Sequence, residues 1–287
     1  ISSADKLVAG LEGEYQRWNK EVESMGNDLD MLPMYAIIAA AFLTYLPDLP
    51  EDMRKASLQK WKSKLGVKQF DLKHFLSSER EMLQWRSEGL PADDLSMENA
   101  ITMMNCGTWP YLIDPSSQAT DWLKAHYEKN ENLEVTSPND ERFFLTLELA
   151  VRFGKTLIIQ DINQVEPTLY PILRGDIIGQ GPYKVVQSGE KMVDCNPNFK
   201  LFMTTRNPHP NISKDAESII ATINFTTTRA GLTGQLLTKA LHHEKPELEQ
   251  RKSELLKQEE DLTIQVSNLE DTLLDQLANS SGNILEN

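Results

Sequence analysis

The chain has 287 residues, 40% apolar and 25% charged, enough for a sizeable core and ordinary for a globular protein. Its 43 acids against 29 bases leave a net charge of −14, which disfavours general binding to nucleic-acid phosphates. Fourteen glycines and 14 prolines exclude collagen-like and low-complexity chains, and two cysteines, Cys106 and Cys195, cannot make a disulfide framework; reduced thiols of a cytosolic setting are expected.

The start, Ile1-Ser2-Ser3-Ala4, lacks Met and reads as a cut from a longer chain. Leu7, Leu11, Trp18, Val22, Met25, Leu29 and Leu32 then follow a 4-3 spacing, broken at Glu14. That is the seam of an amphipathic or coiled-coil helix, weakened by Gly10, Gly13 and Gly26. The apolar stretch 31–46 holds only 16 residues with Pro33 inside, short of the roughly 20 that a membrane span needs, so a buried helix is expected. Two separate helices are expected at 33–46 and 51–64. Arg54, Lys55, Lys60, Lys62 and Lys64 make the second one basic, and a solvated face is the simplest reading.

From 106 to 228 short apolar runs alternate with helical patterns. Strands are expected at 109–114, 133–136, 156–161, 200–205 and 222–226. Helices are expected at 117–127, 141–153 and 213–220, with a hairpin over 184–194 turning at Ser188-Gly189. Such alternation argues for an α/β fold, a parallel sheet of about five strands covered by helices on both faces. From 229 the pattern is helical again. Leu248, Leu255, Leu262 and Leu269 fall seven apart, with Val266 and Leu273 at the four-later position. A C-terminal coiled-coil helix ending in a turn at Ser280-Ser281-Gly282-Asn283 is expected. Residues 244–287 hold eleven acids against four bases, so this helix is no globular core, yet its leucines need a cover.

A parallel sheet with Asp161 closing its third strand suggests nucleotide binding, and the phosphate loop is the test. Gly154-Lys155-Thr156 imitates the end of such a loop. It has Leu149 where the first glycine belongs, and it follows a helix and precedes a strand, the reverse of the required order. The proper position, after the first strand, reads Asp114-Pro115-Ser116-Ser117-Gln118-Ala119-Thr120. It has neither glycine nor lysine, Pro115 removes a backbone donor, and Asp114 would repel a triphosphate. After Asp161, Ile162 stands where a water-activating Glu would. Thr204, Thr205, Arg206 and Asn207 form a polar group ending the fourth strand. Arg206 and Arg174 are the candidates for contacting a neighbour's phosphate in trans. His74, His126, His209, His242 and His243 lack metal spacing, no Ser or Cys sits in a nucleophile elbow, and the five tryptophans read as core. No catalytic residue, no metal and no bound cofactor is therefore expected.

The run Glu88-Gly89-Leu90-Pro91-Ala92-Asp93-Asp94-Leu95-Ser96-Met97-Glu98-Asn99-Ala100 resembles the lead-in to the fifth AAA+ module of dynein heavy chains. So do Trp109-Pro110, Ile113-Asp114-Pro115, Gln118-Ala119, Ile223-Asn224-Phe225-Thr226 and Gly231-Leu232. His243-Glu244-Lys245-Pro246-Glu247-Leu248-Glu249 and Ser281-Gly282-Asn283-Ile284-Leu285 extend the likeness to essentially all 287 residues. Within the family, 114–120 and 152–160 look most like the cytoplasmic dynein 2 subfamily, motors of retrograde transport in cilia. The resemblance implies an AAA+ sheet over 106–228 after a helical segment, 1–105, that starts at the base of the returning stalk helix. It implies that 229–287 begins the helical lid and supplies the first half of the buttress. It further implies a module that does not hydrolyse ATP, with ATP and Mg used by other modules of the parent chain. The implied partners are neighbouring AAA+ modules, the stalk, microtubules and intermediate and light chains, in cytoplasm, cytoskeleton and cilium, with no nucleic acid and no membrane. A regulatory module that binds ATP or ADP without hydrolysis, with Asp161 and Arg206 as contacts, stands as the alternative. A free-standing scaffold with coiled-coil ends is a third.

Overall fold

The computed structural model describes residues 2–128, 132–179, 184–188, 191–227 and 229–245, with interspersed positions from 247 to 275. Two compact units emerge: Ile38–Glu244, and a second made of Ile1–Ile37 with Lys245–Asn287. α1 (Ser2–Tyr45) runs unbroken for 44 residues through Pro33, where a break between two helices was expected. Proline removes one backbone donor and crowds the preceding turn. The good helix formers around it, Met31, Leu32, Met34 and Ala36, carry the helix through. Tyr15–Tyr45 is long and apolar enough to cross a membrane by length and composition alone. The burial expected over 31–46 holds for one face only. Ile38, Ala39, Phe42 and Leu46 are buried, while Leu32, Ile37 and Tyr45 are exposed.

Four helices follow: α2 (Glu51–Leu65), α3 (Leu72–Leu76), α4 (Glu79–Ser87) and α5 (Asp94–Asn105). α2 starts after Pro50 without a side-chain cap, whereas the starts of the other three are set by such caps. Asp71 accepts from the Lys73 amide, Ser78 and Glu81 form a reciprocal capping box, and Asp93 accepts from the Ser96 amide. Ala39, Phe42 and Leu46 pack with Leu72, Leu58 and Trp61 in a small core. The basic face of α2 is not wholly solvated. Arg54 is 1% exposed, and Lys62 Nζ donates to the Phe70 carbonyl at 2.9 Å.

The α/β part holds β1 (Trp109–Ile113), α6 (Gln118–Glu128), β2 (Leu133–Thr136), α7 (Phe143–Phe153), β3 (Thr156–Ile159) and α8 (Tyr170–Arg174). Then come β4 (Ile177–Ile178), β5 (Val185–Ser188), β6 (Lys191–Asp194), β7 (Lys200–Thr205), α9 (Lys214–Glu217) and β8 (Ile220–Asn224). Five strands form a parallel sheet of order β2-β3-β7-β1-β8. The strand pleat sorts side chains to two faces. Tyr111, Ile113, Leu157, Ile159, Leu201 and Met203 meet α7 through Phe143, Leu147, Ala150 and Val151. Leu112, Ile158, Phe202 and Ile223 meet α5 and α6 through Met97, Ile101, Trp122 and Leu123. Both faces are dry, which is why these strands read as continuous apolar runs.

The departures from the sequence reading are local. The helix expected over 213–220 is only Lys214–Glu217, because Ile220 leaves it to pair with Trp109 at the start of β8. The hairpin of β5 and β6 gains a third strand, β4, which is too short to show a pattern. Its turn at Gly189 lies outside the described residues, as does the turn expected at 280–283. α10 (Arg229–Glu244) opens the last helical region. The described positions from 247 to 275 are helical, with Leu255, Leu262, Val266 and Leu269 exposed, and no coiled-coil pairing is seen among the described residues.

Gly154 ends α7 in the left-handed conformation, φ 68°, with its amide on the Ala150 carbonyl. A β-carbon there would meet the Asn196 side chain at 2.6 Å. Asn196 is itself held, its amide on the Val151 carbonyl and its Oδ1 accepting from the Asn198 amide. Gly154→Ala should therefore cost about 2 kcal/mol from backbone strain and overpacking together. A denaturant midpoint indistinguishable from the parent would contradict this origin of the glycine.

Candidate functional site

Winding from β1 goes to the far edge at β2, returns through β3 and β7, and then crosses to β8 on the other side of β1. Open α/β sheets bind ligands outside the carboxyl ends of their strands at such a switch. There the chain places Asp114 after β1, Asp161 after β3 and Arg206 after β7. Each of the three has a partner within the chain.

Asp114 is 1% exposed. Its amide donates to the Thr205 carbonyl at 2.8 Å, which fixes it against β7. Its Oδ2 accepts from the amide and from the hydroxyl of Thr120, both at 2.9 Å, and Ser116 Oγ donates to Oδ1 at 3.3 Å. Ser117, at φ 59°, makes the turn into α6. The Asp114 carboxylate thus lies on the first turn of α6, whose amides lack intrahelical partners and carry the positive end of the helix dipole. In a phosphate loop that position belongs to a phosphate. Burial pushes the Asp114 carboxyl above the ordinary carboxylate range, and the two Thr120 bonds oppose that rise.

Asp161 also takes a left-handed backbone, φ 55°. Arg206 grips its carboxylate in a fork, Nε to Oδ1 at 2.7 Å and Nη2 to Oδ2 at 2.8 Å. The hydrogen bond to Asp161 is the main cause that holds the guanidinium pKa above its usual value. Thr205 Oγ1 donates to Asn163 Oδ1 at 2.7 Å and accepts from the Asn207 amide at 3.1 Å, so the polar group ending β7 is absorbed in building a turn. Arg174, the other arginine considered for an in-trans contact, ends α8, pairs with Asp176 at 3.1 Å and lies 5.9 Å over the Tyr170 ring.

Gly154-Lys155-Thr156 lies between α7 and β3, and Lys155 Nζ donates to Glu134 Oε1 of β2 at 2.7 Å. No group of three or more His, Cys, Asp or Glu among the described residues could hold a metal. A groove of about 1360 Å³ opens along β8, between Leu43, Pro47, Pro208 and Thr222, and its lining includes none of Asp114, Asp161 and Arg206. Sequence reasoning missed Thr120 and Glu134 as partners. Thr120 could have been found, since a Ser or Thr in a first helical turn close behind an Asp is a local capping signal; Glu134 has no such signal.

Thr120→Val removes the hydroxyl donor to the buried Asp114 carboxylate and should cost about 1–2 kcal/mol in urea unfolding. Asp114→Asn removes the titration itself. Because the folded pKa is raised, the parent's stability from this group is full at acid pH and is lost as pH rises from the ordinary carboxylate value through the folded one. The parent should therefore lose ground to Asp114→Asn as pH rises through that window. A constant difference across it would remove the buried-carboxylate account.

The family model described as "ATP-binding dynein motor region" matches residues 83–287. Cytoplasmic dynein 2 heavy chain 1 of Mus musculus is 54% identical over 287 residues, and that of Chlamydomonas reinhardtii 51% identical over 289, each alignment covering the whole of this chain. The cytoplasmic dynein heavy chain of Dictyostelium discoideum is 33% identical over 98% of it. The chain spans about 7% of the length of the first two relatives and 6% of the third. The parallel sheet and its switch point fit what the alignments indicate, and the chain belongs to the dynein heavy-chain family as an AAA+ segment of its motor region.

Proposed function

We propose that this segment is a non-hydrolysing, force-transmitting AAA+ module, corresponding to the fifth module and the start of the buttress, in a motor of the cytoplasmic dynein 2 type. The observation that carries the reading is the Asp114 carboxylate on the first turn of α6, where a bound phosphate would compete with it for the Thr120 amide. Two further pairs support it. Asp161, in the position of a magnesium-orienting acid, is neutralised by Arg206, and the lysine of the imitation loop is bound to Glu134. In this reading the module moves with its neighbours. It carries changes driven by ATP at other modules to the stalk, and so to microtubule affinity, in retrograde transport within cilia. Domain limits of 1–105, 106–228 and 229–287 belong to the same proposal.

The exposed seam of Leu255, Leu262, Val266 and Leu269 supports the buttress part, since it lacks the cover that an antiparallel return helix would give. In the 287-residue chain alone, amides at Leu262, Val266 and Leu269 should exchange fast; in the intact heavy chain they should be protected. Strong protection in a verified monomer of the shorter chain would remove this argument.

For the nucleotide site, titration of the chain with labelled ADP or ATP should give no saturable binding, and Lys155→Ala should leave that result unchanged. The lysine variant should lose under 1 kcal/mol of stability, since the pair is part-exposed. Saturable ADP binding without turnover would favour the regulatory alternative. Turnover above background, abolished by Asp161→Ala, would overturn the non-hydrolysing reading.

A further inference from the structure

We propose that Arg54, Asn99, Asn224 and the Pro47 carbonyl form a mechanical joint that couples the end of α1 to the exit of β8. Arg54, the buried member of an otherwise basic helix, uses all three of its nitrogens. Nε donates to the Leu49 carbonyl at 2.7 Å, Nη1 to Asn99 Oδ1 at 2.8 Å and Nη2 to the Pro47 carbonyl. Asn99, fully buried on α5, passes the contact on, since its Nδ2 donates to the Asn224 carbonyl at 2.8 Å. Asn224 closes the circuit, its amide donating to the same Pro47 carbonyl at 3.0 Å and its Nδ2 to the Asp48 carbonyl at 3.4 Å.

Both ends of this circuit lie inside the Ile38–Glu244 unit, close in sequence to the helices α1 and α10. Pro47 lies two residues after α1 ends at Tyr45, and Asn224 ends β8 five residues before α10 begins. The segments are far apart in sequence: Arg54 to Asn99 spans 45 residues and Asn99 to Asn224 spans 125. A guanidinium without water must keep its acceptors, so displacing either end alone strands a buried charge. Burial lowers the Arg54 pKa and raises that of Glu98, whose Oε2 lies 3.7 Å from Nη1 with no hydrogen bond of its own. Glu98 Oε2 is thus an acceptor to spare beside Nη1 but makes no link to Asn224, so the circuit through Asn99 and the Pro47 carbonyl opens unless the four groups move together.

This deepens the force-transmitting reading and rests on it for its biological meaning; the coupling itself is testable apart from it. Amide exchange in the intact heavy chain should be compared for peptides covering 46–54 and 220–227. Arg54→Met should speed exchange at both, by about tenfold at the Asn224 amide, which is linked to Arg54 through the shared Pro47 carbonyl and through Asn99. Asn99→Ala should do likewise, and the double variant should be no worse than either alone. Acceleration confined to 46–54, or additive effects, would overturn the joint. Should the methionine variant not fold, Arg54→Lys keeps charge and stem but loses the fork. It must give the same remote change at smaller amplitude, and an unchanged 220–227 overturns the proposal equally. If exchange behaves as expected while microtubule affinity in the motor's nucleotide states is unaltered by Arg54→Met, the joint stands and the transmitting reading fails.

Discussion

A parallel sheet cannot leave either face in water, and most of this unit follows from that constraint. Tyr111 and Ile113 point to one side of β1 and Leu112 to the other, and the same split recurs at Leu157/Ile158/Ile159 and Leu201/Phe202/Met203. Two helical layers are needed to dry both sides, so each strand is followed by a crossover. The crossovers put every strand's carboxyl end at one rim and bring Asp114, Asp161 and Arg206 to it. The functional question at the rim is thus created by packing before any ligand is considered.

What the rim holds is charge compensated from within. Asp114 takes its donors from Thr120, and Asp161 takes Arg206. An incoming nucleotide would have to displace these partners and would meet Asp114 as a like charge. The pairs differ in kind. The exposed Arg206–Asp161 fork is open to screening by salt, whereas the Asp114 contact is buried and screened little. The buried contact is the one expected to persist in any state of the module, and it is the one that stands where phosphate would.

Legibility in the sequence followed the range of the interaction. The five core strands could be read because their signal, an unbroken apolar run, is local. The end of α9 could not, because Ile220 obeys its pairing with Trp109, more than a hundred positions away. Pro33 misled in the other direction, since a local breaker was overridden by the helix formers around it. Arg54 looked like one more solvated base on α2; its partners, Asn99 and the Pro47 and Leu49 carbonyls, are ordinary residues with no motif. At 114–120 the missing glycine and lysine are plain in the sequence. That Asp114 caps α6, rather than merely repelling a ligand, required the geometry of Thr120.

Charge and apolar surface are segregated along the chain in a way that restricts how the C-terminal helix can be covered. Residues 244–287 carry −7 of the net −14, in the same stretch of sequence that holds the exposed Leu255, Leu262 and Leu269. Burying those leucines is favourable by roughly 1.5–3 kcal/mol each. A second copy would supply leucines but also another −7 alongside, and like charges across a coiled-coil seam oppose pairing except where salt screens them, over about 10 Å at 0.1 M. A less acidic helix gains the same apolar burial without that repulsion. The leucine spacing alone would accept either partner, and it is the acid content that favours a partner of different sequence over self-association.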